Sequence, residues 1–444
     1  MDDEIIEVSE EDKTKRKISE EISSEALKLF KNNEIEKAQS MIVQAKKDGK
    51  LVDYDYINFI RILNYKKFLN TEFFTISQQY ENIGLDSKIT FGTEIESEGD
   101  MTEELFLFGD VKLGENVWKS EADGSLRDDG IEMISPVFTD NNKDVSEIYA
   151  MCQLLQDAKN KANARCGAHV HIGADYLKSK EAYFNLLEIF GNTEKIMYLI
   201  SNEANTLPRD GIVTQAHPIM PKIAEYLDKH QERFEKNNYD GFIKEIQENV
   251  QVKTEDSPNI GKKTFDLNFL NVNGEKNTLE FRMANGTLSP DTWIENIRLY
   301  GKIVETSQRL GEIENKPENE ITSGERELYN LKEHLKSDIS DDEKSEILFQ
   351  LLFSEKDREV YRNKYYANSK LLEEKKCELK KMQFRKIDIK RNKNLNKKIN
   401  EMREIAENAN IGDITEVEQV IISSIKENEI SKEGKKTEFQ QGDI

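Results

Sequence analysis

Three short segments of this 444-residue chain place polar, ligand-capable side chains two residues apart within apolar runs. They are Glu94-Ile95-Glu96, His169-Val170-His171 and Glu280-Phe281-Arg282, and a fourth segment, Gly130-Ile131-Glu132, adds one further acid. Since successive side chains of a strand point to opposite faces, each pair can present both polar groups on one face. The residues between them are apolar, as a helix-covered opposite face would require. The pattern therefore predicts a sheet face that carries carboxylates, imidazoles and a guanidinium, which suits metal and phosphate.

The segment from Gly167 to Gly173 is the most specific of these signals. Two imidazoles on one strand face can each bind a metal ion or contact a phosphate, and the flanking glycines allow the backbone to approach a ligand closely. The structural alternative is a pair of histidines that make hydrogen bonds on a half-buried face. From this segment alone the two interpretations carry equal weight.

The acidic segments are less specific when each is taken alone. Glu94 and Glu96 supply the carboxylate oxygens that Mg²⁺ prefers, and a cation would offset their mutual repulsion. An exposed edge strand would display such glutamates too, and the same alternative applies to Glu132. Glu280 and Arg282 could form a plain ion pair on a sheet surface. It is the whole set, gathered in one part of the chain, that favours a functional site.

The composition excludes some classes of function. The formal net charge of −22 disfavours binding to nucleic acid or to anionic membranes, since both demand a basic surface. The three cysteines lie far apart, so neither a disulfide framework nor a cysteine-rich zinc site is indicated. The first residues are acidic where a secretory signal would be basic, and no apolar run approaches the roughly 18 residues of a membrane span. We therefore expect a cytoplasmic protein without a membrane or nucleic-acid partner.

The distribution of apolar and charged residues divides the chain into five parts. We predict a disordered acidic tail (1–17), a helical accessory region (18–86), a middle domain that carries the strands (87–312), a charged helical region (313–427) and a disordered tail (428–444). Within the charged region, the basic stretch from Lys375 to Lys398 is interpreted as a solvated helix or coiled coil in preference to a nucleic-acid site.

In the middle domain, predicted strands alternate with predicted helices. The pattern indicates strands at 89–97, 118–126, 131–137, 167–173, 265–272 and 277–283, and helices at 145–163, 180–201 and 223–249. A long helix should follow Ser289, with Ser289 as its N-cap and Pro290 in its first turn. The chain contains no G-x-x-x-x-G-K-[ST] sequence, so any nucleotide is bound without a P-loop.

An ordered set of five segments in this domain resembles a known family. The segments are Phe-Gly-Thr-Glu-Ile-Glu (91–96), Trp118 with Asp-Gly-Ser-Leu (123–126), Gly-Ile-Glu-Met-Ile-Ser-Pro (130–136), Cys-Gly-Ala-His-Val-His-Ile-Gly (166–173) and Thr-Leu-Glu-Phe-Arg-Met-Ala-Asn-Gly-Thr-Leu (278–288). Their order is similar to that of the amidoligases, in the carboxylate-amine ligase superfamily that includes glutamine synthetase and glutamate-cysteine ligase. The resemblance covers about half of the chain.

The resemblance implies an α+β fold with a curved, mostly antiparallel sheet of the glutamine synthetase and glutamate-cysteine ligase type, with helices on its convex face and helical regions at both ends. It implies ATP and Mg²⁺ as cofactors, with Mn²⁺ as the alternative ion. The metal ligands that it implies are Glu94, Glu96, Glu132, His169 and Glu280. His171 would approach the ATP phosphates, and Arg282 would neutralise the transferred phosphoryl group.

Groups on the substrate side follow from the same resemblance. Arg209 lies in the loop after the predicted helix at 180–201, where the resemblance implies an arginine for the substrate carboxylate. Arginine suits such a two-pronged contact, and the alternative is a solvated loop arginine. Trp118 is interpreted either as a base-stacking residue or, preferably, as part of the core. Ser125 is expected in the cofactor pocket, and Asp123 and Asn268 could line it as well.

The implied reaction joins a carboxylate to an amine through an acyl phosphate, with small-molecule or peptide substrates. The helical flanks could recruit a protein partner or hold an oligomer together. Two alternatives remain open. In one, His169, His171 and a carboxylate form a transition-metal site of a hydrolase or cupin-like enzyme. In the other, a degenerate ligase domain serves as the scaffold of a non-catalytic interaction protein.

Overall fold

An eight-stranded sheet organises the middle of the chain, and every strand ladder that the structure describes in it is antiparallel. The computed structural model describes residues 10–32, 34–52, 56, 59, 80–99, 111–113, 116–121, 126, 130–236, 239–251 and 264–389. The strands are β1 (Thr90–Glu98), β2 (Val111–Leu113), β3 (Asn116–Glu121), β4 (Gly130–Ile134), β5 (Phe138–Thr139), β6 (Gly167–Gly173), β7 (Leu267–Asn268) and β8 (Thr278–Asn285). Their order is β2-β3-β4-β1-β6-β8-β7, and β5 pairs with β1.

Helices precede, separate and follow the strands, which confirms a mixed α+β fold with a mostly antiparallel open sheet. They are α1 (Glu10–Lys31), α2 (Ile35–Lys47), α3 (Asn142–Asp157), α4 (Lys180–Ile200), α5 (Ile212–Gln215), α6 (Met220–Lys236), α7 (Tyr239–Glu245), α8 (Pro290–Asn315), α9 (Ser323–Leu335), α10 (Asp341–Leu352) and α11 (Glu355–Glu374). Helix α8 begins as predicted, with Ser289 at the N-cap position and Pro290 in the first turn. None of the helices described is long and apolar enough to cross a membrane.

Helices α4 and α8 cover one face of the central strands. The ring of Phe281, on β8, stacks on Tyr300 of α8 with centroids 4.3 Å apart and lies 6.1 Å from Phe190 of α4. Ile95 and Val170, the apolar residues between the polar pairs of β1 and β6, are fully buried. The apolar half of the alternating pattern therefore packs against helices, which leaves the polar half on the other face.

The two N-terminal helices form a core of their own. Ala26 and Phe30 of α1 pack with Ala38 and Ile42 of α2, as expected for a helical accessory region. The predicted disordered tail was wrong for residues 10–17, because α1 begins at Glu10. Glutamate and lysine are good helix formers, so a charged stretch continues a helix without contributing to its core.

Three predicted elements near the site differ from the structure. The expected strand at 265–272 contains only the two residues of β7, because the backbone N–H of Phe269 donates to the Gln251 side chain instead of to a neighbouring strand. The expected helix at 223–249 is divided into α6, α7 and a π-helical turn from Ile246 to Val250. The predicted domain boundary at residue 312 falls inside α8.

The charged region beyond α8 packs on α4 through a buried ion pair. The ammonium of Lys332, on α9, lies 2.7 Å from a carboxylate oxygen of Glu188, and both side chains are fully buried. The described part of the segment predicted to form a basic helix, residues 375–389, contains instead a short 3-10 turn, Glu378–Lys381, followed by chain without regular secondary structure. Ile387 and Ile389 are buried there, so packing overrides the helical propensity of the charges. Residues 390–444, which include the predicted tail, lie outside the described part.

A pair of buried acids joins α4 to β7. Glu194 accepts a hydrogen bond from the backbone of Met220, and Asp266 accepts one from Ile219. The two carboxyl groups also contact each other, and burial raises the pKa of both, with the charge of Asp266 raising that of Glu194 further. The pair therefore holds a proton that the unfolded chain would release.

We predict that this shared proton makes stability fall as pH rises. Above about pH 4.5 the folded protein binds one proton more than the unfolded chain, so the free energy of unfolding should fall by up to about 1.4 kcal/mol per pH unit until the pair ionises. Urea unfolding at several pH values measures this slope. Glu194→Gln should flatten it, whereas Glu225→Gln, at an exposed position of α6, should not. An unchanged slope in Glu194→Gln would contradict the prediction.

Candidate functional site

The strand register places the predicted polar residues side by side on one face of the sheet. Glu94 of β1 lies opposite His169 of β6, Glu96 lies opposite Glu132 of β4, and His171 lies opposite Glu280 of β8. Directly opposed residues of an antiparallel pair share a face, so all six side chains point away from α4 and α8.

A bulge between β6 and β8 adds Arg282 to this face. Val170 pairs with Phe281 and Ala168 with Ala284, so that His169 lies opposite both Arg282 and Met283. Arg282 forms an ion pair with Glu280, while Met283 is fully buried in the core. The extra residue of the bulge thus places the Arg282 side chain beside His169, while Met283 stays in the apolar core.

Two groups of three ligand atoms share His169. One consists of Glu94, His169 and Glu280, and the other of Glu96, Glu132 and His169; in each group the atoms lie within 4.8 Å of one another. His169 Nδ1 lies 3.2 Å from Glu94 Oε2 and 3.7 Å from Glu132 Oε1, and its Nε2 lies 3.4 Å from Glu96 Oε1. All five predicted metal ligands are therefore close enough to bind cations together.

The site carries more negative than positive charge. Burial raises the pKa of Glu132, and the charge of Glu94 adds to this effect. Burial also raises the pKa of Glu94, but the close contacts and the charges of the His169 and His171 imidazoles outweigh it and hold that pKa below its usual range. For His169, burial and the charge of Arg282 lower the pKa, yet the surrounding carboxylates outweigh both and raise it to about 9. The proton that His169 holds and the guanidinium of Arg282 therefore offset part of the negative charge of the carboxylates.

The donor atoms fit a hard divalent cation. Each group contains two carboxylates and one imidazole, and carboxylate oxygens are the ligands that Mg²⁺ and Mn²⁺ prefer. His169 Nε2 and His171 Nε2 are buried beside carboxylate oxygens, 3.4 Å from Glu96 Oε1 and 3.1 Å from Glu94 Oε1, without the alignment of a good hydrogen bond in the part of the chain that the structure describes. A buried polar atom without a hydrogen bond is costly, and a bound ligand would remove that cost.

Two amide side chains hold Glu280 of β8 in place. Asn268 of β7 donates to Glu280 Oε2 at 3.0 Å, and the Gln251 side chain in turn donates to Asn268. Arg282 binds the other oxygen of Glu280, and this positive charge contributes to a lowered Glu280 pKa against the effect of burial. Asn268 therefore positions a predicted ligand instead of meeting a substrate directly.

A cavity of about 430 Å³, here called the first cavity, opens beside Glu94 and His171. Its walls include Lys119, Val117, Val137 and Lys276. The Lys276 ammonium lies 3.5 Å from Glu94 Oε1, on a side chain that is 58% exposed. Sequence reasoning missed this lysine, although it follows the Asn273-Gly274 turn that leads into β8.

Arg209 reaches the opposite end of the acidic cluster. Its Nη1 donates to the backbone oxygens of Cys166 and Ala284, and its Nε donates to Gln215. A Cβ atom at Gly167 would lie 2.7 Å from Arg209 Nη1 and 2.8 Å from His169 Nε2. Only a residue without a side chain leaves room for both groups there.

Trp118 does not reach the site. It belongs to the opposite face of β3, is fully buried and packs on Phe138 with ring centroids 5.7 Å apart. Its assignment to the cofactor pocket was therefore wrong, and its interpretation as a core residue holds. Asp123 and Ser125 lie outside the described residues.

Comparison with known proteins agrees with this geometry. The family model described as "Putative amidoligase enzyme" matches residues 82–304, half of the chain and the part that holds every site residue named above. No curated protein matches the chain. The family description indicates an enzyme that forms amide bonds. The chain belongs to this amidoligase family.

Proposed function

We propose that the protein is an ATP- and Mg²⁺-dependent carboxylate-amine ligase, built on a sheet of the glutamine synthetase and glutamate-cysteine ligase type. The observation that supports this most strongly is the pair of ligand groups that share His169 beside a cavity with lysines in its wall. Carboxylates that hold a cation, next to amines that can neutralise phosphate, suit phosphoryl transfer.

The proposed reaction has two steps. A substrate carboxylate oxygen attacks the γ-phosphorus of ATP, the bond between that phosphorus and the β,γ-bridging oxygen breaks, and ADP leaves. An amine then attacks the acyl carbon of the resulting acyl phosphate, phosphate departs with the electrons of the C–O bond, and the amine nitrogen loses a proton. No side chain of the protein forms a covalent bond in either step.

The residues of the chain divide this work by position. Glu94, Glu96, Glu132, His169 and Glu280 would hold the cation, which when bound neutralises charge where carboxylate and phosphate meet. Arg282 and His171 lie beside these ligands and would contact the phosphoryl oxygens. In the first cavity, the exposed side chains of Val117 and Val137 offer an apolar surface to the base in place of Trp118.

The two alternatives have less support. A zinc hydrolase or cupin-like centre would be expected to use several imidazoles, whereas each described ligand group contains one imidazole and two carboxylates. A non-catalytic scaffold would not need to crowd four carboxylates on one buried face, because their repulsion opposes folding. Mg-ATP binding separates both alternatives from the ligase proposal.

We predict that Glu132→Gln separates cation binding from folding. The substitution preserves shape but removes a negative charge, so the Kd for Mg²⁺ and for Mg-ATP should rise at least about 100-fold. In EDTA, thermal stability should not decrease, since repulsion within the cluster is relieved. Calorimetry and thermal denaturation measure the two effects. The matched control is Glu225→Gln, at an exposed position of α6 away from the sheet face, which should change neither.

A second prediction concerns Lys276, whose ammonium should move from Glu94 to an ATP phosphate once a cation binds. A hydrogen bond from a charged group contributes about 1.5–3 kcal/mol, so Lys276→Met should raise the Kd of Mg-ATP by about 10- to 100-fold. Lys229→Met removes an exposed, paired lysine of α6 and serves as control. Equal Mg-ATP affinity of the native protein and Lys276→Met would remove the lysine from the nucleotide site, and absence of Mg-ATP binding by the native protein would refute the ligase proposal.

A further inference from the structure

A buried acid lies beneath β3, on the side of the sheet opposite the first cavity. Glu147 of α3 is 1% exposed, and its Oε1 accepts a hydrogen bond from Asn116 Nδ2, on β3, at 2.8 Å. The fully buried Trp118 follows two residues later on the same side of the strand, and its indole nitrogen lies near the Glu147 carboxyl group. None of these three residues belongs to the ligand groups that share His169.

The other side of the same strand segment forms part of the first cavity. Val117, which is 44% exposed, and Lys119 both line that cavity. In the ladders that the structure describes, β3 pairs with β4 only from Lys119 onward, whereas its first three residues pair with the three residues of β2. A short two-stranded ladder is marginally stable by itself. The position of this end of β3 therefore depends on the contacts of its buried side chains.

Two buried polar atoms at this contact have no hydrogen bond of good geometry among the described residues. They are Glu147 Oε2 and Trp118 Nε1. The indole N–H can only donate, and an ionised carboxylate can only accept. Since a hydrogen bond to an ionised acceptor is stronger than one to a neutral acceptor, ionised Glu147 attracts the indole N–H more than the neutral acid does. The attachment of β3 to α3 therefore depends on one proton.

Both protonation states of Glu147 are accessible near neutral pH. Burial raises the pKa of Glu147 to about 7, although the contacts with Asn116 and Trp118 lower it. The charge of Asp144, on the same helix, adds to the increase, and the charge of Lys143 opposes it. The charge of this carboxyl group therefore changes within the pH range in which most proteins work.

The elements packed around Glu147 contribute few other charges. On β3, the side chains on the α3 side are uncharged, and β5 consists of a phenylalanine and a threonine. In α8, Asp291 contacts α3, where it accepts a hydrogen bond from Tyr149 at 2.6 Å. Burial raises the pKa of Tyr149, so that side chain stays neutral. Glu147 is therefore the group at this contact whose charge changes near neutral pH.

We propose that Glu147 is a positioning residue of the first cavity, and that its proton sets the position of the cavity wall. Ionised Glu147 draws the first half of β3 toward α3, which withdraws Val117 and Lys119 from the cavity, whereas the neutral acid lets them return. The neutral form therefore favours a ligand that contacts this wall. The identity of that ligand as Mg-ATP rests on the proposed ligase function.

Trp118 reports the proton directly. The chain has two tryptophans, so Trp293→Phe leaves Trp118 as the single indole. Its fluorescence emission should change with one midpoint near pH 7, and Glu147→Gln, which imitates the neutral acid, should abolish the change. Asp157→Asn removes an exposed acid of the same helix and should leave the titration as it is. An identical titration in Glu147→Gln would overturn the proposal.

A second variant keeps the test decisive if Glu147→Gln does not fold. Asn116→Ala removes a hydrogen bond that lowers the Glu147 pKa, so the Trp118 midpoint should rise by about one pH unit. A midpoint that stays constant in Asn116→Ala would show that the titration arises elsewhere and would contradict the proposal.

A label on the wall measures its movement without any nucleotide. In a Cys377→Ser background the remaining native cysteines are buried, so Val117→Cys can be labelled selectively with an environment-sensitive fluorophore. The label should respond to pH with the midpoint of Trp118, and addition of Glu147→Gln should remove the response. A label that does not respond while Trp118 titrates would show that the wall stays in place, against the proposal.

Calorimetry then relates the wall to the nucleotide. The ATP phosphates and the site histidines titrate alike in the native protein and in Glu147→Gln, so the ratio of their Kd values for Mg-ATP isolates Glu147. This ratio should be close to one at about pH 6 and at least about 5-fold higher at about pH 8. Because coupling is reciprocal, saturating Mg-ATP should raise the Trp118 midpoint by about 0.7 pH units.

The outcomes separate this inference from the ligase function. A Kd ratio that is independent of pH, in proteins that bind Mg-ATP, would overturn the positioning role of Glu147 and leave the ligase function standing. Absence of Mg-ATP binding in the native protein would refute the ligase function, while the label on Val117→Cys still decides whether Glu147 moves the wall.

Discussion

Mutual repulsion among four buried carboxylates is the constraint on which the rest of the structure depends. Glu94, Glu96, Glu132 and Glu280 lie on one sheet face, and burial weakens the screening that water would provide. Three neighbouring groups reduce this cost: Arg282 forms an ion pair, His169 retains a proton, and the Gly167 amide donates to Glu96. The arrangement is costly without a cation, which is why it is better understood as a binding site than as a stabilising feature.

The alternation of polar and apolar residues in the sequence predicted this polar sheet face, because the alternation of side chains along a strand depends only on local backbone geometry. Strand β6 has the predicted limits, and the apolar residues between the polar pairs pack as expected on α4 and α8. Trp118 could not be assigned in the same way, since its face depends on the register of β3 against β4, and that register is set by pairing between distant segments. Lys276 was missed for a related reason: a loop lysine has no periodicity, and only the folded chain brings it to Glu94.

Contacts distant in sequence also explain the part played by the charged C-terminal region. Its composition indicates only solvated helices, yet Lys332 is fully buried against Glu188, and Asn368 fixes the loop before Arg209. A buried ion pair contributes little net stability once desolvation is included, but it tolerates few alternative arrangements. The region is therefore part of the unit that shapes the site, although the family match ends at residue 304. Composition alone predicts separable helices, whereas in the structure α9 and α11 pack directly on α4.

The position of His169 in both ligand groups limits how the cluster can be filled. A neutral imidazole has one nitrogen with a free lone pair, so His169 can bind only one cation at a time. If Nδ1 binds, the cation would lie toward Glu94 and Glu132; if Nε2 binds, it would lie toward Glu96. A second cation would then depend on carboxylates alone. The tautomer of His169 would thus decide whether a bound cation lies toward the first cavity or toward Arg209.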